Sequence, residues 1–269
     1  MDNQTRWNAP PAGYALPDDE VHVWRAGLDW PTSSITKLKE ILSSDERARA
    51  ERFHFEIDHR RHVVGRGVLR LVLARCLGAS PHALRFDHGA RGKPSLAAAF
   101  APARLQFNVS HSGELVLVAL TIGRMVGVDV EHIRHDLEVE AIAQRFFSAR
   151  ENSALATLAS PARRDAFYAC WTRKEAYIKA VGDGLALPLD QFDVAFLPGE
   201  PARLVATRPN GAEAGRWSLR DLDAGHGYRA ALAVAGAGWR LATWDWPTGA
   251  CSPDLLRPVR DAEPAARER

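Results

Sequence analysis

The residues from Trp171 to Leu187, WTRKEAYIKAVGDGLAL, constrain this chain most, because they combine an apolar helical stripe with charges at fixed spacing. A helix through Val181 places the apolar residues within about sixty degrees of one direction at 3.6 residues per turn; they are Phe167, Cys170, Trp171, Tyr177, Ile178 and Val181. Glu175 and Lys179, four residues apart, flank that stripe and can both reach the rim of a pocket. Lys174 falls inside the stripe, where a lysine needs a counter-charge.

A second constraint comes from the short apolar run Gly127 to Glu131, GVDVE, which is typical of a strand. Asp129 and Glu131 are two residues apart, so a strand puts both carboxylates on one face. With Glu175 they make an oxygen-ligand set that suits a hard divalent cation, and Mg²⁺ would share its remaining positions with phosphate and water. Taken separately, the strand carboxylates can simply face water, and Glu175 with Lys179 can be an ordinary i, i+4 pair.

Composition narrows the classes of protein to consider. The 269 residues suit one large or two small domains, and 46% apolar with 25% charged residues is ordinary for a globular protein. A net charge of +2 gives little reason to expect nucleic acid or an anionic membrane as partner. No apolar run approaches the roughly twenty residues that span a bilayer, and no signal-peptide pattern is visible, so we expect a cytoplasmic protein.

The pattern along the chain predicts two similar halves. Residues 1–20 are polar and proline-rich, which favours a flexible lead-in. A strand over Val21–Leu28 precedes a helical region over Ser33–Phe53, with a cap and restart near Ser43, and a long helix over Ile57–Leu77. Leu105–Leu120 is typical of two strands joined by a turn at Ser112–Gly113.

The second half repeats this order of elements. A helical region over Leu137–Leu158 contains Ser148 followed by Glu151, the spacing of a new helix start. Alternating runs at Trp217–Leu222 and Tyr228–Val234 predict further strands. We therefore expect an α+β fold with two similar α/β subdomains, at 21–125 and 126–247, and a flexible tail over 248–269.

Several basic and polar residues are candidates for binding phosphate. Taken alone, helical arginines such as Arg61 are better explained as a solvated face. The Gly-rich turn GARGKP with Lys93 and Pro94 adds weight to phosphate binding, although it is a weak motif alone. Ser110 and His111 are adjacent, so on a strand they point to opposite faces and cannot form a nucleophile–base pair. His111 alone is as well explained by a structural role as by ligand binding.

Five motifs occur in a fixed order: GKP, NVSHS, GVDVE, RFFS and WTRKEAYIK. This series resembles the 4′-phosphopantetheinyl transferases, specifically the longer surfactin-synthetase-activating type, which is a single-chain pseudo-dimer. The resemblance covers roughly residues 47 to 192. It implies that coenzyme A (CoA) binds between the two halves and that its phosphopantetheine arm passes to a serine of an apo acyl or peptidyl carrier protein, releasing 3′,5′-ADP.

The resemblance also implies roles for individual residues. Asp129, Glu131 and Glu175 would be the Mg²⁺ ligands, and Lys179 would hold the pyrophosphate. Lys93 with Pro94 in the GKP turn, and Ser110 with His111, would contact the nucleotide phosphates. Arg61 would meet the 3′-phosphate, and Arg49 matches a position where the family often has lysine. Glu46 departs from the pattern, because it stands where a partner lysine is expected.

The chemistry of this reaction agrees with the residues present. The carrier serine is the nucleophile, so the enzyme needs charge neutralisation at the β-phosphate, supplied by Mg²⁺ and a lysine. Glu175 is our candidate for the base that deprotonates the serine. A partly apolar surface near Leu137–Phe147 is the candidate carrier-docking site, and the paired halves favour a monomer. The competing hypothesis is a non-catalytic module that binds CoA or a carrier protein.

Overall fold

Two β-sheets packed face to face, each covered by a long helix on its outer side, build this protein. The structure is a computed structural model that describes residues 5–11, 14–89, 93–182, 187–208 and 210–251. Buried side chains form three apolar clusters, one under each long helix and one between the sheets. Residues of a strand alternate between clusters: Val21 and Val23 face the other sheet, whereas Trp24 and Ala26 face the helix. This architecture confirms the predicted α+β class.

The order of elements repeats within the chain. The described elements of the N-terminal half are β1 (Glu20–Gly27), α1 (Thr32–Ile41), α2 (Ser44–Ala50), α3 (Glu56–Leu77), β2 (Phe86–His88), β3 (Pro94–Leu96), β4 (Leu105–Ser112) and β5 (Leu115–Ile122). Those of the C-terminal half are β6 (Val126–His132), α4 (Val139–Phe146), α5 (Ala149–Ala156), α6 (Ser160–Val181), β7 (Phe192–Ala195), β8 (Arg203–Thr207), β9 (Trp217–Leu222) and β10 (Tyr228–Ala235). A last strand, β11 (Arg240–Trp246), follows. The predicted helices and strands are therefore confirmed, with small shifts at their ends.

The two sheets have equivalent strand orders. β1, β5 and β4 are neighbours in the first sheet, and β6, β10 and β9 are neighbours in the second. β11 pairs in parallel with β1, so it extends the first sheet although it follows the second in sequence. This differs from the division predicted at residue 247, which assigned β11 to the C-terminal subdomain. Trp246 shows the physical reason, since it is buried in the N-terminal core.

A matched polar network supports the long helix of the N-terminal half. Ser43 and Glu46 form a capping box at the start of α2, and Glu46 also accepts from Arg66 and from Arg70 at 2.5 Å. The guanidinium of Arg70, which is fully buried, donates to the carbonyl oxygens of Pro81 and Leu84. Glu46 is therefore a structural residue in this chain, because its carboxylate is occupied by these partners.

The C-terminal half contains the same network with a lysine in place of arginine. Ser148 and Glu151 form the capping box of α5, and Glu151 pairs with Lys174 at 2.8 Å. The ammonium of Lys174 also donates to the carbonyl oxygens of Leu189 and Phe192. The predicted counter-charge of Lys174 is confirmed and is Glu151. Arg70 and Lys174 occupy the fifteenth position of their respective 22-residue helices, so the two long helices can be aligned position by position.

The two halves meet along a seam between β4 and β6, held by side chains of β4. The N–H of Val128 donates to Asn108 Oδ1 at 2.9 Å. The N–H groups of Val130 and His132 donate to Ser110 Oγ at 3.3 Å and Ser112 Oγ at 3.0 Å. Alternate β4 side chains thus satisfy edge N–H groups of β6 that would otherwise lack a partner.

The described ends of the chain also pack on the body. Asn8 bridges to Thr243, Trp7 donates to the carbonyl of Asp223, and Tyr14 is buried against His22. Gly249 accepts from Ser34 Oγ at 3.1 Å. The described part of the lead-in therefore packs on the body, because Tyr14 is buried and Trp7 is partly buried. The predicted flexible tail stays a prediction, since the structure describes only its residues 248–251.

Parts of some predictions lie outside the described residues. These are residues 1–4 and 12–13 of the lead-in, residue 92 of the GKP turn, residues 183–186 after α6, and tail residues 252–269. Within the described part of the chain, no helix is long and apolar enough to cross a membrane.

Candidate active site

One stripe of α6 opens onto the seam. Between Cys170 and Ala180, three residues remain only partly buried while their neighbours are buried; they are Trp171, Glu175 and Lys179. The spacing of four residues aligns them along one side of the helix, beside the helix-facing side of β6. Asp129 and Glu131 lie on that side of β6 together with Gly127, so the strand and the helix present their charges to a common space.

A hydrogen-bonded triad lies at the centre of this space. Lys179 Nζ is 2.6 Å from Asp129 Oδ1 and 2.9 Å from Ser110 Oγ. The hydroxyl of Ser110 donates to the same Asp129 oxygen at 2.9 Å. Asp129 is almost fully buried, and its Oδ2 has no hydrogen-bond partner in the described part of the chain. An orphaned buried carboxylate oxygen is costly, which suggests that it has a ligand in the working protein.

The three carboxylates act on one another electrostatically. Burial raises the pKa of Asp129, and the Lys179 ammonium opposes that rise. Burial and then the charge of Asp129 raise the pKa of Glu131. Burial, the charge of Asp129 and the charge of Glu131 all raise the pKa of Glu175. Like charges held this close favour a bound cation, since a cation relieves their repulsion.

The carboxylates do not, however, form a closed metal-binding group. Among the residues that the structure describes, no three His, Cys, Asp or Glu side chains are close enough to hold a metal ion. Lys179 takes the position of a counter-cation at Asp129 instead.

The space between β6 and α6 forms one side of a cleft, and its other side carries cationic and imidazole side chains from α2, α3 and β4. We call this side the cationic wall; it includes Arg49, His62, Arg66 and His111. Partial burial, and then the charge of nearby Lys179, lowers the pKa of the His111 imidazole. His62 on α3 lies near Arg66, Arg49 and His111, and its pKa is lowered to about 4, first by burial and then by these charges. These charges make the wall electropositive, which favours an anion beside it.

The low pKa of His62 predicts a specific loss of stability in acid. Between about pH 6.5 and pH 4, the histidine is protonated in the unfolded chain but neutral in the folded chain. Protons therefore bind preferentially to the unfolded state, and the free energy of unfolding falls as the pH drops through this range. His62→Gln should remove about 2 to 3 kcal/mol of this pH dependence, at about 1.36 kcal/mol per pKa unit. Urea unfolding at pH 7 and pH 4.5 measures it, with exposed His135→Gln as the control. Identical pH dependence in wild type and His62→Gln would contradict the assignment.

Lys93 and Pro94 lie at the other end of the seam from Trp171. The ammonium of Lys93 donates to the backbone carbonyls of Lys179 at 2.6 Å and Ala180 at 3.2 Å, where it caps the C-terminus of α6. Both residues line a cavity of about 700 Å³ that also contacts the start of β4. Lys93 is thus placed beside the site, but its ammonium is directed to the helix end in this structure.

The two candidate arginines have different surroundings. Arg49 is exposed on α2 and close enough to His62 to affect its pKa. Arg61 on α3 makes a 3.3 Å pair with Glu114, which is largely exposed, and its buried Nε lacks a partner among the described residues. Arg49 therefore belongs to the cationic wall, whereas Arg61 is held towards the β4–β5 turn.

A second cavity, of about 410 Å³, opens at the Trp171 end of the seam. Glu131 and Ser112 form its polar end, and its apolar wall comes from Leu137, Ile142, Phe167 and Trp171. His132 and Arg134 also line it. This cavity offers an apolar surface that ends at the Glu131 carboxylate.

Sequence reasoning missed several residues of the site. The sequence assigned no role in the site to Ser112, Asn108 or His62. Ser112 donates to Glu131 Oε2 at 2.8 Å, Asn108 accepts from the N–H of Val128, and His62 belongs to the cationic wall. For Ser112 and Asn108 the sequence did contain a signal. Asn108, Ser110 and Ser112 are polar at every second position, which places them on one face of a strand, and a polar face inside an apolar run indicates hydrogen-bonding partners. The role of His62 depends on the approach of α2 and β4, which has no local signal.

Comparisons with known proteins give the family to which the chain is similar. A family model described as the 4′-phosphopantetheinyl transferase superfamily matches residues 125–233, and one described as 4′-phosphopantetheinyl transferase, N-terminal, matches residues 29–122. The 4′-phosphopantetheinyl transferase HetI of Nostoc sp. is 43% identical, covering 90% of this chain and 99% of its own. A 4′-phosphopantetheinyl transferase of Bacillus subtilis is 31% identical, covering 80% and 92%. The Sfp protein of Bacillus subtilis strain 168 is 34% identical, covering 59% and 68%.

Proposed function

The chain belongs to the 4′-phosphopantetheinyl transferase superfamily, and we propose that its seam transfers the phosphopantetheine arm of CoA to a serine of an apo acyl or peptidyl carrier protein. The serine oxygen attacks the β-phosphorus, the bond between that phosphorus and the bridging oxygen breaks, and 3′,5′-ADP leaves. The observation that carries this proposal is the cluster of Asp129, Glu131 and Glu175 around Lys179, facing His111 across the cleft. A pyrophosphate between these walls meets both the carboxylate side and the cationic side.

We propose that these carboxylates hold a divalent cation, most simply Mg²⁺, once Lys179 leaves Asp129 and the side chains close on the ion. Asp129 Oδ2 is buried without a partner in the described part of the chain, and Glu131 and Glu175 supply further oxygen ligands. Asp129, Glu131 and Glu175 would hold the ion, which would neutralise charge on the pyrophosphate. Lys179, freed from Asp129, would bind the same phosphates.

The chain's own groups then divide the work. Lys179 stabilises the charge that develops on the phosphate oxygens, because a preformed ammonium needs no reorganisation. Glu175 accepts the proton of the carrier serine. Its partly buried carboxylate lies one helical turn before Lys179, on the side of α6 that faces the site, and a carboxylate there can accept a proton.

Replacing Glu175 by glutamine tests the base role. We expect transfer to fall about 100-fold or more, while CoA binds with nearly unchanged affinity, because glutamine keeps the shape but cannot accept a proton. Single-turnover transfer and calorimetric titration with CoA measure the two effects separately. Glu40→Gln, at an exposed residue of α1, is the matched control. Equal losses in transfer and in CoA binding would contradict the proposal that Glu175 is the base.

The nucleotide end of CoA is proposed to lie against the cationic wall. His111, His62 and Arg49 offer donors and positive charge to phosphate there, with Ser110 at the boundary of the two walls. Lys93 and Pro94 line the adjacent cavity, and Arg61 would have to leave Glu114 to meet a phosphate. Recognition in this chain would then rely on the cationic wall, because Glu46 is committed to Arg66 and Arg70.

The apolar cavity beside Glu131 is the proposed approach of the carrier protein. Its wall of Leu137, Ile142 and Trp171 leads directly to the carboxylates, and Arg134 at its edge suits the acidic helices of carriers. The serine and the phosphopantetheine arm would meet where the cavity ends. Because one chain supplies both walls, we propose that the protein works as a monomer. We also propose that it works in the cytoplasm, as the sequence predicts.

Shortening Ile142 to alanine should weaken carrier binding without affecting CoA. We expect KM for the carrier to rise about 10-fold, which corresponds to about 1.4 kcal/mol of lost apolar contact. Steady-state kinetics with varied carrier and saturating CoA measures it. Ile57→Ala, at an exposed isoleucine of α3, is the control. An unchanged KM for several carriers would contradict the proposal that this cavity binds the carrier protein.

Release of 3′,5′-ADP tests the proposed function as a whole. Wild-type protein with CoA, Mg²⁺ and an apo carrier should release one 3′,5′-ADP per carrier, and a carrier with alanine at its acceptor serine should release none. CoA binding without any release from either carrier would instead support a non-catalytic module that binds CoA or a carrier.

A further inference from the structure

Ser112, the last residue of β4, connects the two halves at the polar end of the apolar cavity. Its hydroxyl accepts from the backbone N–H of His132 at 3.0 Å and donates to Glu131 Oε2 at 2.8 Å. A hydroxyl has a single proton to donate. Since the N–H of His132 occupies a lone pair, the hydroxyl proton is directed to the carboxylate.

The position of Ser112 is itself fixed by the C-terminal half. Gly113, which follows it, has φ of +57°, and a Cβ there would lie 3.2 Å from His132 Cβ. Tyr228 Oη accepts from the N–H of Glu114 at 3.0 Å, and the Tyr228 ring packs edge-on against His132. The end of β4 is therefore clamped onto β6 and β10, and Ser112 moves only with the seam.

Glu131 is otherwise weakly held. It is partly exposed at the cavity, and in the described part of the chain the Trp171 side chain is its other hydrogen-bonding neighbour besides Ser112. A glutamate with three rotatable bonds needs such a partner to keep one orientation. Asp129, in contrast, is buried and held by Ser110 and Lys179.

We infer that Ser112 is a positioning residue: from the N-terminal half, it orients Glu131 of the C-terminal half for binding the divalent cation. This rests on the proposed function, and it assigns to Ser112 a role that makes cation affinity depend on the closed seam. Outer hydrogen bonds of this kind typically contribute about 10- to 100-fold to metal affinity or activity.

Mn²⁺ binding, followed by electron paramagnetic resonance without carrier, tests the inference in the full-length protein. Ser112→Ala should raise the Kd for Mn²⁺ about 10-fold, and Ser112→Thr, which keeps the hydroxyl, should restore it to within about 2-fold. Ser218→Ala is the matched control. Ser218 lies on β9, the counterpart of β4, and bonds only to the carbonyl of Gly236 among its described contacts. Circular dichroism and the unfolding midpoint establish that each variant is folded.

The same variants in the transfer assay should show a higher Mg²⁺ requirement for Ser112→Ala, with kcat at saturating Mg²⁺ reduced less than the apparent Mg²⁺ affinity. Wild-type Mn²⁺ affinity in Ser112→Ala, or equal weakening in Ser218→Ala, would overturn the inference and leave the transferase proposal intact. No Mn²⁺ binding by the wild type would also overturn it. Wild-type protein that binds Mn²⁺ but transfers nothing would count against the proposed function alone.

Discussion

Replacing Gly127 by alanine is expected to lower the free energy of unfolding by about 3 kcal/mol and to abolish transfer. Gly127 lies on β6 where α6 crosses it most closely. A Cβ there would overlap the carbonyl oxygen of Ala176 and the backbone nitrogen of Ala180, and would lie 2.9 Å from Ala180 Cα. These are backbone atoms of a helix, which cannot move as a side-chain end could.

The activity loss in Gly127→Ala follows from the same displacement. Moving α6 away from β6 separates Glu175 and Lys179 from Asp129, and shifts of 1 Å cost catalysis about 100-fold. Urea unfolding and single-turnover transfer measure the two effects. Gly215→Ala is the control, because a Cβ at Gly215 meets nothing within 4 Å. Near-wild-type stability and activity in Gly127→Ala would contradict the close packing of α6 on β6.

Replacing Lys179 by methionine is the second large change. In the metal-free protein it leaves Asp129 buried without its counter-charge, since Asp129 Oδ1 is 2.6 Å from the lost ammonium. Breaking a buried pair from one side costs about 3 kcal/mol or more. Transfer should fall about 100-fold or more, because the ammonium that neutralises the phosphates is gone.

Mg²⁺ should partly reverse the loss of stability in Lys179→Met. A cation at Asp129 replaces the missing ammonium, so added Mg²⁺ should raise the unfolding midpoint of Lys179→Met more than that of the wild type. Thermal unfolding with EDTA and with Mg²⁺ measures this difference. Lys39→Met, at a partly exposed lysine whose nearest carboxylate is 4.0 Å away, is the control. A variant as stable as wild type in EDTA would contradict the role of Lys179 at Asp129.

Local patterns accounted for the elements that carry the site. The apolar stripe of α6, the two carboxylates of β6 and the helix start at Ser148 each depend on residues within one or two turns, so spacing alone predicted them. The counter-charge of Lys174 followed from burial, although its partner, Glu151, required the tertiary structure.

Side-chain contacts between segments that are far apart in the sequence could not be predicted from local spacing. Lys93 is directed to the end of α6, Glu46 to two arginines and Ser112 to Glu131, across separations that no periodicity encodes. β11 joins the first sheet because Trp246 completes the N-terminal core, and a strand's sheet is not set by its own sequence.

Aligning the two halves by strand register and helix position shows why the C-terminal half has the carboxylate cluster and the N-terminal half has no equivalent among its described residues. The strand pairings place Trp24 and Ala26 of β1 where β6 has Asp129 and Glu131, and helix positions place Leu71 where α6 has Glu175. All three N-terminal residues are buried in the apolar core. The N-terminal half therefore supplies packing and the cationic wall, whereas the C-terminal half supplies the carboxylates.

The intact mass of a purified apo carrier protein, after incubation with this protein, CoA and Mg²⁺, tests the central claim most directly. We predict a gain of one phosphopantetheine per carrier, which is lost with EDTA and with Glu175→Ala. A carrier whose mass is unchanged across several carrier classes, although the protein binds CoA, would contradict the claim that this seam is a transferase site.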